Sequence, residues 1–142
     1  GIGRGYFTES DLKAVRARLD QLLALYGVAF QEQLHCPHAP KEGCSCRKPG
    51  TGMWDSLRDQ FGLSAGKSLV VGDKMADVEF GKNVGLAATV LVLTGHGARE
   101  AREMGIPEPS VRWCELESNS PREWPDVVAR DLGALSDWLL GE

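Results

Sequence analysis

No stretch of this sequence approaches the roughly 18 consecutive apolar residues that would span a membrane, and the opening residues, Gly1 to Tyr6, lack the apolar core of a secretory signal. An excess of positive charge is missing too: 16 Lys plus Arg stand against 20 Asp plus Glu, a formal net charge of -4. Nothing in that balance draws the chain to nucleic acid or to an anionic membrane, whereas a small acidic ligand at a local basic site stays open. Cysteine is scarce. Of four, three crowd into Cys36 to Cys46 beside His38 and Cys114 stands alone, which excludes a framework of paired disulfides and suits a metal site in a reducing compartment. The expectation is a cytoplasmic protein with neither a nucleic-acid nor a membrane partner. What remains, 142 residues that are 42% hydrophobic and 25% charged, has the composition of one ordinary globular domain.

Helical and extended patterns alternate along it. Thr8 can cap a helix whose apolar positions Leu12, Val15, Leu19, Leu22 and Tyr26 recur at steps of three and four, with Asp11 completing the cap and Gly27 ending the run. Val28 to His35 alternates apolar and polar residues and reads as a strand delivering Cys36 at its carboxyl end. A short helix follows through Met53, Leu57 and Phe61. Ser68 to Val71 reads as a strand buried on both faces, Asp77 to Val84 as a helix stopped by Gly85, and Ala88 to Leu93 as a second buried strand. Beyond Gly95 the pattern predicts a helix over 98–104, an edge strand over 111–114, a loop over 115–125 and a terminal helix over 127–140 with Leu132, Leu135 and Leu139 on one side. Such alternation predicts an α/β Rossmann-like layered domain with a mainly parallel sheet, whose ligands sit outside the carboxyl ends of the strands. Cys36, Asp73 and Thr94 lie at those ends.

Two clusters of residues carry chemistry. Cys36, His38, Cys44 and Cys46 offer three thiolates and an imidazole, a closed tetrahedral shell for a structural zinc; the alternative is a set of free cysteines in an exposed loop. Arg47 and Lys48 follow at once and can hold an anion, or form an ordinary solvated basic pair. In Val70-Val71-Gly72-Asp73-Lys74-Met75-Ala76-Asp77, a strand ends in a carboxylate that can present a hard oxygen to Mg²⁺. Asp77, four residues on, either orients a cation or metal-bound water or caps the helix it enters.

Taken in order, Gly1-Ile-Gly-Arg4-Gly-Tyr6-Phe7, Cys-Pro-His with Cys-x-Cys-Arg-Lys-Pro-x-x-Gly-Met, and Val-Gly-Asp-Lys-x-x-Asp resemble the haloacid dehalogenase-like phosphatases, specifically the D-glycero-D-manno-heptose 1,7-bisphosphate 7-phosphatases. The likeness runs from Gly1 to about Gly97 and rests mainly on the cysteine and aspartate blocks; histidinol-phosphate phosphatases share the zinc loop. It implies hydrolysis of a small sugar-phosphate monoester through an aspartyl-phosphate, with Mg²⁺ and Zn²⁺ as cofactors. By the same resemblance Lys48 stabilises the transferring phosphoryl group, Arg47 recognises substrate, Lys74 faces substrate, Asp73 binds Mg²⁺ and Asp77 orients.

The family's first motif, an Asp-x-Asp supplying nucleophile and general acid, occurs nowhere in the 142 residues. The resemblance therefore implies that a segment with two strands, one of them central to the sheet, is missing ahead of Gly1. It also implies that the strands ending at Asp73 and Thr94 lack a neighbour and that this chain by itself is inactive. A histidinol-phosphate phosphatase is the alternative substrate reading. A catalytically inactive, zinc-stabilised α/β binding module is the alternative of another class.

Overall fold

The protein is described by a computed structural model covering residues 1–141, which form two compact units, Gly1–Arg47 and a second that begins at Lys48. In the first unit a 3-10 turn at Ile2–Arg4 leads into helix α1, Glu9–Ala24. The Thr8 hydroxyl accepts the Asp11 amide at 3.2 Å, while the Asp11 carboxylate accepts the Thr8 amide at 2.8 Å, the capping box that the sequence predicts. These bonds hold the Asp11 carboxyl below the usual carboxylate range. Residues 28–35 do not form the expected strand. Among the described residues the segment has no ladder partner, and side chains fix it to α1: Gln33 Nε2 donates to Asp20 at 2.6 Å, and Arg16 Nη2 donates to His35 Nδ1 at 3.0 Å. Alternation of apolar and polar residues cannot supply a ladder neighbour, and Val28, Phe30 and Leu34 remain 47%, 52% and 41% exposed. The stripe along α1 is exposed as well at Val15, Leu19, Leu22 and Tyr26, so no side chain of this unit belongs to a buried core.

The second unit is built on a four-stranded sheet. Helix α2 spans Gly52–Phe61, with Trp54 as its buried residue. Strand β1, Leu69–Gly72, is followed by α3, Met75–Val84, then β2, Ala88–Val92, and α4, Gly97–Glu103. The chain closes with β3, Trp113–Glu115, β4, Val127–Ala129, and α5, Leu132–Leu140. The sheet order is β1-β2-β4-β3, with β1, β2 and β4 parallel and β3 antiparallel at the far edge. Strand β2 is the centre: Val90 and Val92 point to one face with Val127, Ala129 and Leu135, and Leu91 points to the other with Val128, Val78, Ala101 and Ile106. Helix α5 thus covers one face, and α3 with α4 covers the other, the layered architecture expected.

Three expectations change. Residues Val127 to Ala129 are a strand rather than the start of the terminal helix; Asp131 breaks the pattern by capping α5, its Oδ1 accepting the Ala134 amide at 2.8 Å. Strand β1, expected to be buried on both faces, is not, since Leu69 is 39% exposed and the rest of the strand is half-buried. Among the described residues β1 pairs with β2 alone and is half-buried, whereas β2 is paired on both sides, so the strand leading to Thr94 does not lack a neighbour.

A polar staple locks β2 to β4 at the end of the sheet where both strands begin. Asp126 Oδ2 accepts the Thr89 amide at 2.7 Å and the Thr89 hydroxyl at 2.8 Å, and Oδ1 accepts Lys82 Nζ at 2.5 Å. Burial alone would raise the Asp126 carboxyl, but these hydrogen bonds from Lys82 and Thr89 outweigh it and hold the group below its ordinary value. A carboxyl with a lowered folded-state pKa stabilises the fold at neutral pH and loses that contribution as pH falls through the folded value. Asp126→Asn in the full-length protein is expected to cost about 1–3 kcal/mol near neutrality. It should also flatten the fall of stability below about pH 4. Urea unfolding across the acid range measures both, and a variant matching the wild type at every pH would contradict the staple.

Candidate functional site

In the first unit the short loop 36–46 gathers four ligand atoms. Cys36 Sγ, His38 Nδ1, Cys44 Sγ and Cys46 Sγ all lie within 4.8 Å of one another and could hold a metal ion. Their separations are 3.5 Å for Cys36–Cys44, 3.3 Å for Cys36–Cys46, 3.5 Å for Cys44–Cys46, 3.6 Å for Cys36–His38 and 3.2 Å for His38–Cys46. A tetrahedral ion with bonds of about 2.3 Å to sulfur and about 2.0 Å to nitrogen spaces its ligands about 3.5–3.8 Å apart, close to these values. All three cysteines are free of disulfides. Their protons are unevenly held. Burial raises the Cys44 thiol, but hydrogen bonds with Cys46 and Cys36, the Arg47 amide and the nearby His38 outweigh it and bring it down to about 7. Cys46, hydrogen-bonded to Cys36, buried, and beside two other thiols, is pushed up to about 12. A thiolate at one corner is ready to ligate near neutral pH.

His35 precedes this loop and is not a fifth ligand. With Nδ1 accepting from Arg16, Nε2 carries the proton and donates to Glu9 Oε1 at 3.1 Å, so the ring ties the loop's start to α1. Arg47 closes the unit; it is half-buried and its Nη1 donates to the His38 carbonyl at 3.5 Å. Cys114 is half-buried on β3 against the core face of Leu91 and Val128, and burial pushes its thiol up.

In the second unit the turn after β1 brings the acidic motif together. Asp73 Oδ2 accepts the His96 amide at 2.9 Å, while its other oxygen has no hydrogen bond among the described residues. Gly95, at φ 61°, curves the chain around this carboxylate in the left-handed region, and a Cβ there would collide with Asp73 Oδ2. Asp77, 6% exposed, sits in the first turn of α3 and accepts Lys48 Nζ at Oδ1. A side chain on Gly72 would occupy the space of the Asp77 carboxylate, so the glycine before Asp73 makes room for the acid four residues later. Asp77 does not cap α3: Lys74 is the N-cap residue, its side chain exposed and unpaired among the described residues. The Lys48–Pro49 peptide is cis, and Asn83 Nδ2 donates to the Pro49 carbonyl at 3.2 Å. Thr94 is exposed in the turn after β2 and makes no side-chain hydrogen bond among the described residues.

The structure thus brings together Cys36, His38, Cys44 and Cys46 in one unit and Lys48 with Asp77, beside Asp73, in the other. The sequence gives no sign of two further participants, the His96 amide on Asp73 and Glu100, whose Oε2 accepts the Met75 amide at 3.2 Å. An exposed-looking charge in a surface helix and a backbone donor carry no periodicity or motif by which they could be read.

Comparison with known proteins agrees with this geometry. A sequence-family model described as HAD-hydrolase-like matches residues 45–135. A curated D-glycero-beta-D-manno-heptose-1,7-bisphosphate 7-phosphatase of Pseudomonas putida is 40% identical over 116 residues, covering 82% of this chain and 65% of the relative. One of the same name from Bordetella bronchiseptica is 31% identical over 142 residues, all of this chain and 70% of the relative. The crystal structure of the B. bronchiseptica D,D-heptose 1,7-bisphosphate phosphatase, complexed with magnesium and phosphate, superposes with a TM-score of 0.78 at 29% identity, over 99% of this chain and 69% of that one. The chain thus spans about two thirds of the length of these relatives. With the cysteine block, the Gly-Asp strand end and the parallel sheet all in their expected places, the chain belongs to the HAD-like hydrolases, in the heptose-1,7-bisphosphate 7-phosphatase family.

Proposed function

We propose that the protein is a Mg²⁺-dependent phosphatase that removes the 7-phosphate of D-glycero-D-manno-heptose 1,7-bisphosphate in the cytoplasm. The observation that carries this reading is the meeting of Lys48 with the buried Asp77 beside Asp73, where β1 passes into α3, a cation and two carboxylates at the carboxyl end of a parallel strand. The activity named for the relatives supplies the substrate class.

Each residue's part follows from its chemistry. Asp73 has one oxygen held by the His96 amide and one free, a hard monodentate donor that suits Mg²⁺. When bound, Mg²⁺ supplies Lewis-acid neutralisation of phosphoryl oxygens. Asp77 keeps the Lys48 ammonium fixed at the strand end, and Lys48, 41% exposed in its side chain, has donors left over for a phosphoryl oxygen. The family resemblance gives Arg47, with its planar fork, the part of recognising substrate, and Lys74 adds a mobile positive charge. The attacking aspartate of the aspartyl-phosphate route is not among these 142 residues, which contain no Asp-x-Asp. The metal of the cysteine loop is assigned as zinc, because three thiolates and an imidazole at these separations suit that ion and leave no open position for catalysis. In a unit without a buried core, that ion supplies folding free energy which apolar packing does not.

Phosphate release from a panel holding the heptose bisphosphate and histidinol phosphate, assayed with the full-length protein with and without Mg²⁺, tests the reading. Mg²⁺-dependent preference for the heptose bisphosphate is expected, a preference for histidinol phosphate would overturn the substrate assignment, and this chain alone is expected to release none. Lys48→Ala should lower kcat by about 10²–10³. Arg47→Ala should chiefly raise KM; near-normal turnover without Lys48 would remove it from the mechanism. Cys44→Ser should lose the equivalent of bound zinc seen by elemental analysis and lower the Tm, while a zinc-free wild type purified without chelator would defeat the metal assignment.

A further inference from the structure

The turn from Asp73 to Asp77 is held from outside itself. Helix α3 begins at Met75 after Lys74, whose side chain makes no cap bond; the Lys74 carbonyl serves the Asp77 and Val78 amides, so the Met75 amide needs an acceptor from elsewhere. One comes from α4: Glu100 Oε2 accepts the Met75 amide at 3.2 Å. A second bond runs from the start of the same helix, where the His96 amide donates to Asp73 Oδ2 at 2.9 Å. Residues 96 and 100 therefore grip residues 73 and 75, on either side of Lys74.

Helix α4 is a firm base for such a grip. Its Ala101 is fully buried, Ile106 just beyond it is 4% exposed, and Gly97 lies so close to the Val92 carbonyl that no Cβ fits between them. The Glu100 side chain is only 22% exposed, and its other oxygen accepts from Arg99 Nη2 at 3.4 Å. A negative charge at the start of α3 is also favoured by the peptide dipoles of that helix.

We propose that Glu100 is a positioning residue: by capping α3 at Met75 it sets the turn that presents Asp73, and so tunes how well the protein binds Mg²⁺. This rests on the assignment of Asp73 as a Mg²⁺ ligand. Glu100 acts through the Met75 amide. Reach, rather than charge, is what the hydrogen bond requires. Glu100→Gln keeps the reach and an acceptor oxygen but loses the charge, and Glu100→Asp keeps the charge but falls one methylene short.

Both variants are conservative, and each is examined in the full-length protein for Met75 amide exchange by NMR, for Mg²⁺ binding by calorimetry without substrate, and for the Mg²⁺ concentration that half-activates hydrolysis. Glu100→Asp is expected to lose Met75 protection and to weaken Mg²⁺ binding and raise half-activation by about fivefold. Glu100→Gln should stay within about twofold of the wild type on all three, as one retained hydrogen bond implies. Equal behaviour of the two variants, or a defect in Glu100→Gln alone, overturns the proposal. Failure of the functional reading looks different: a wild type that binds Mg²⁺ but does not hydrolyse the heptose bisphosphate leaves the exchange and binding readouts intact.

Discussion

A carboxylate that is 6% exposed needs a polar partner in place of water, and Asp77 has one in Lys48. The local architecture follows from that requirement. Gly72 must lack a side chain, because the Asp77 carboxylate fills the space where its Cβ would be. Helix α3 must begin where it does, so that Asp77 falls in its first turn, where the peptide dipoles favour an anion. The segment after Lys48 must run beside α3, and the bond from Asn83 to the Pro49 carbonyl keeps it there. A cation and an anion 29 residues apart in sequence become one electrostatic object beside Asp73, and the free oxygen of Asp73 is the group they leave available.

The first unit solves a different problem. Its apolar side chains stay largely exposed, and polar bonds from α1 to residues 33 and 35 hold the extended segment in place. Four soft ligand atoms then close the loop on a single point. An ion held there would do what a buried core does in the second unit, at the cost of making that loop dependent on metal and on reduced thiols.

What was legible in the sequence divides along physical lines. The Thr8–Asp11 cap, α2, α3, α4 and strands β1 and β2 depend on local rules, namely capping, helical spacing and apolar runs, and they stand where the sequence predicts them. The cysteine loop was legible because ligand chemistry and spacing sit within eleven residues. Residues 28–35 misled because a strand needs a neighbour, and alternation says nothing of whether one exists. The run from Val127 misled because three apolar residues fit the start of a helix as well as a buried strand, and only the Asp131 cap separates the two. Asp77 was readable as a site residue but its partner was not: no spacing rule links Lys48 to Asp77. Glu100 and the His96 amide were invisible for the same reason, since their role exists only once α4 is folded against the turn.

The central claim is that Lys48 and Asp77 act as a unit, and a double-mutant cycle measures it most directly. Lys48→Met, Asp77→Asn and the pair together, compared by kcat/KM for the heptose bisphosphate at saturating Mg²⁺, should give a double variant scarcely worse than the poorer single one, a coupling of about 1–3 kcal/mol. Effects that simply add, with coupling below about 0.5 kcal/mol, would mean that the two side chains meet without depending on each other and would contradict the account.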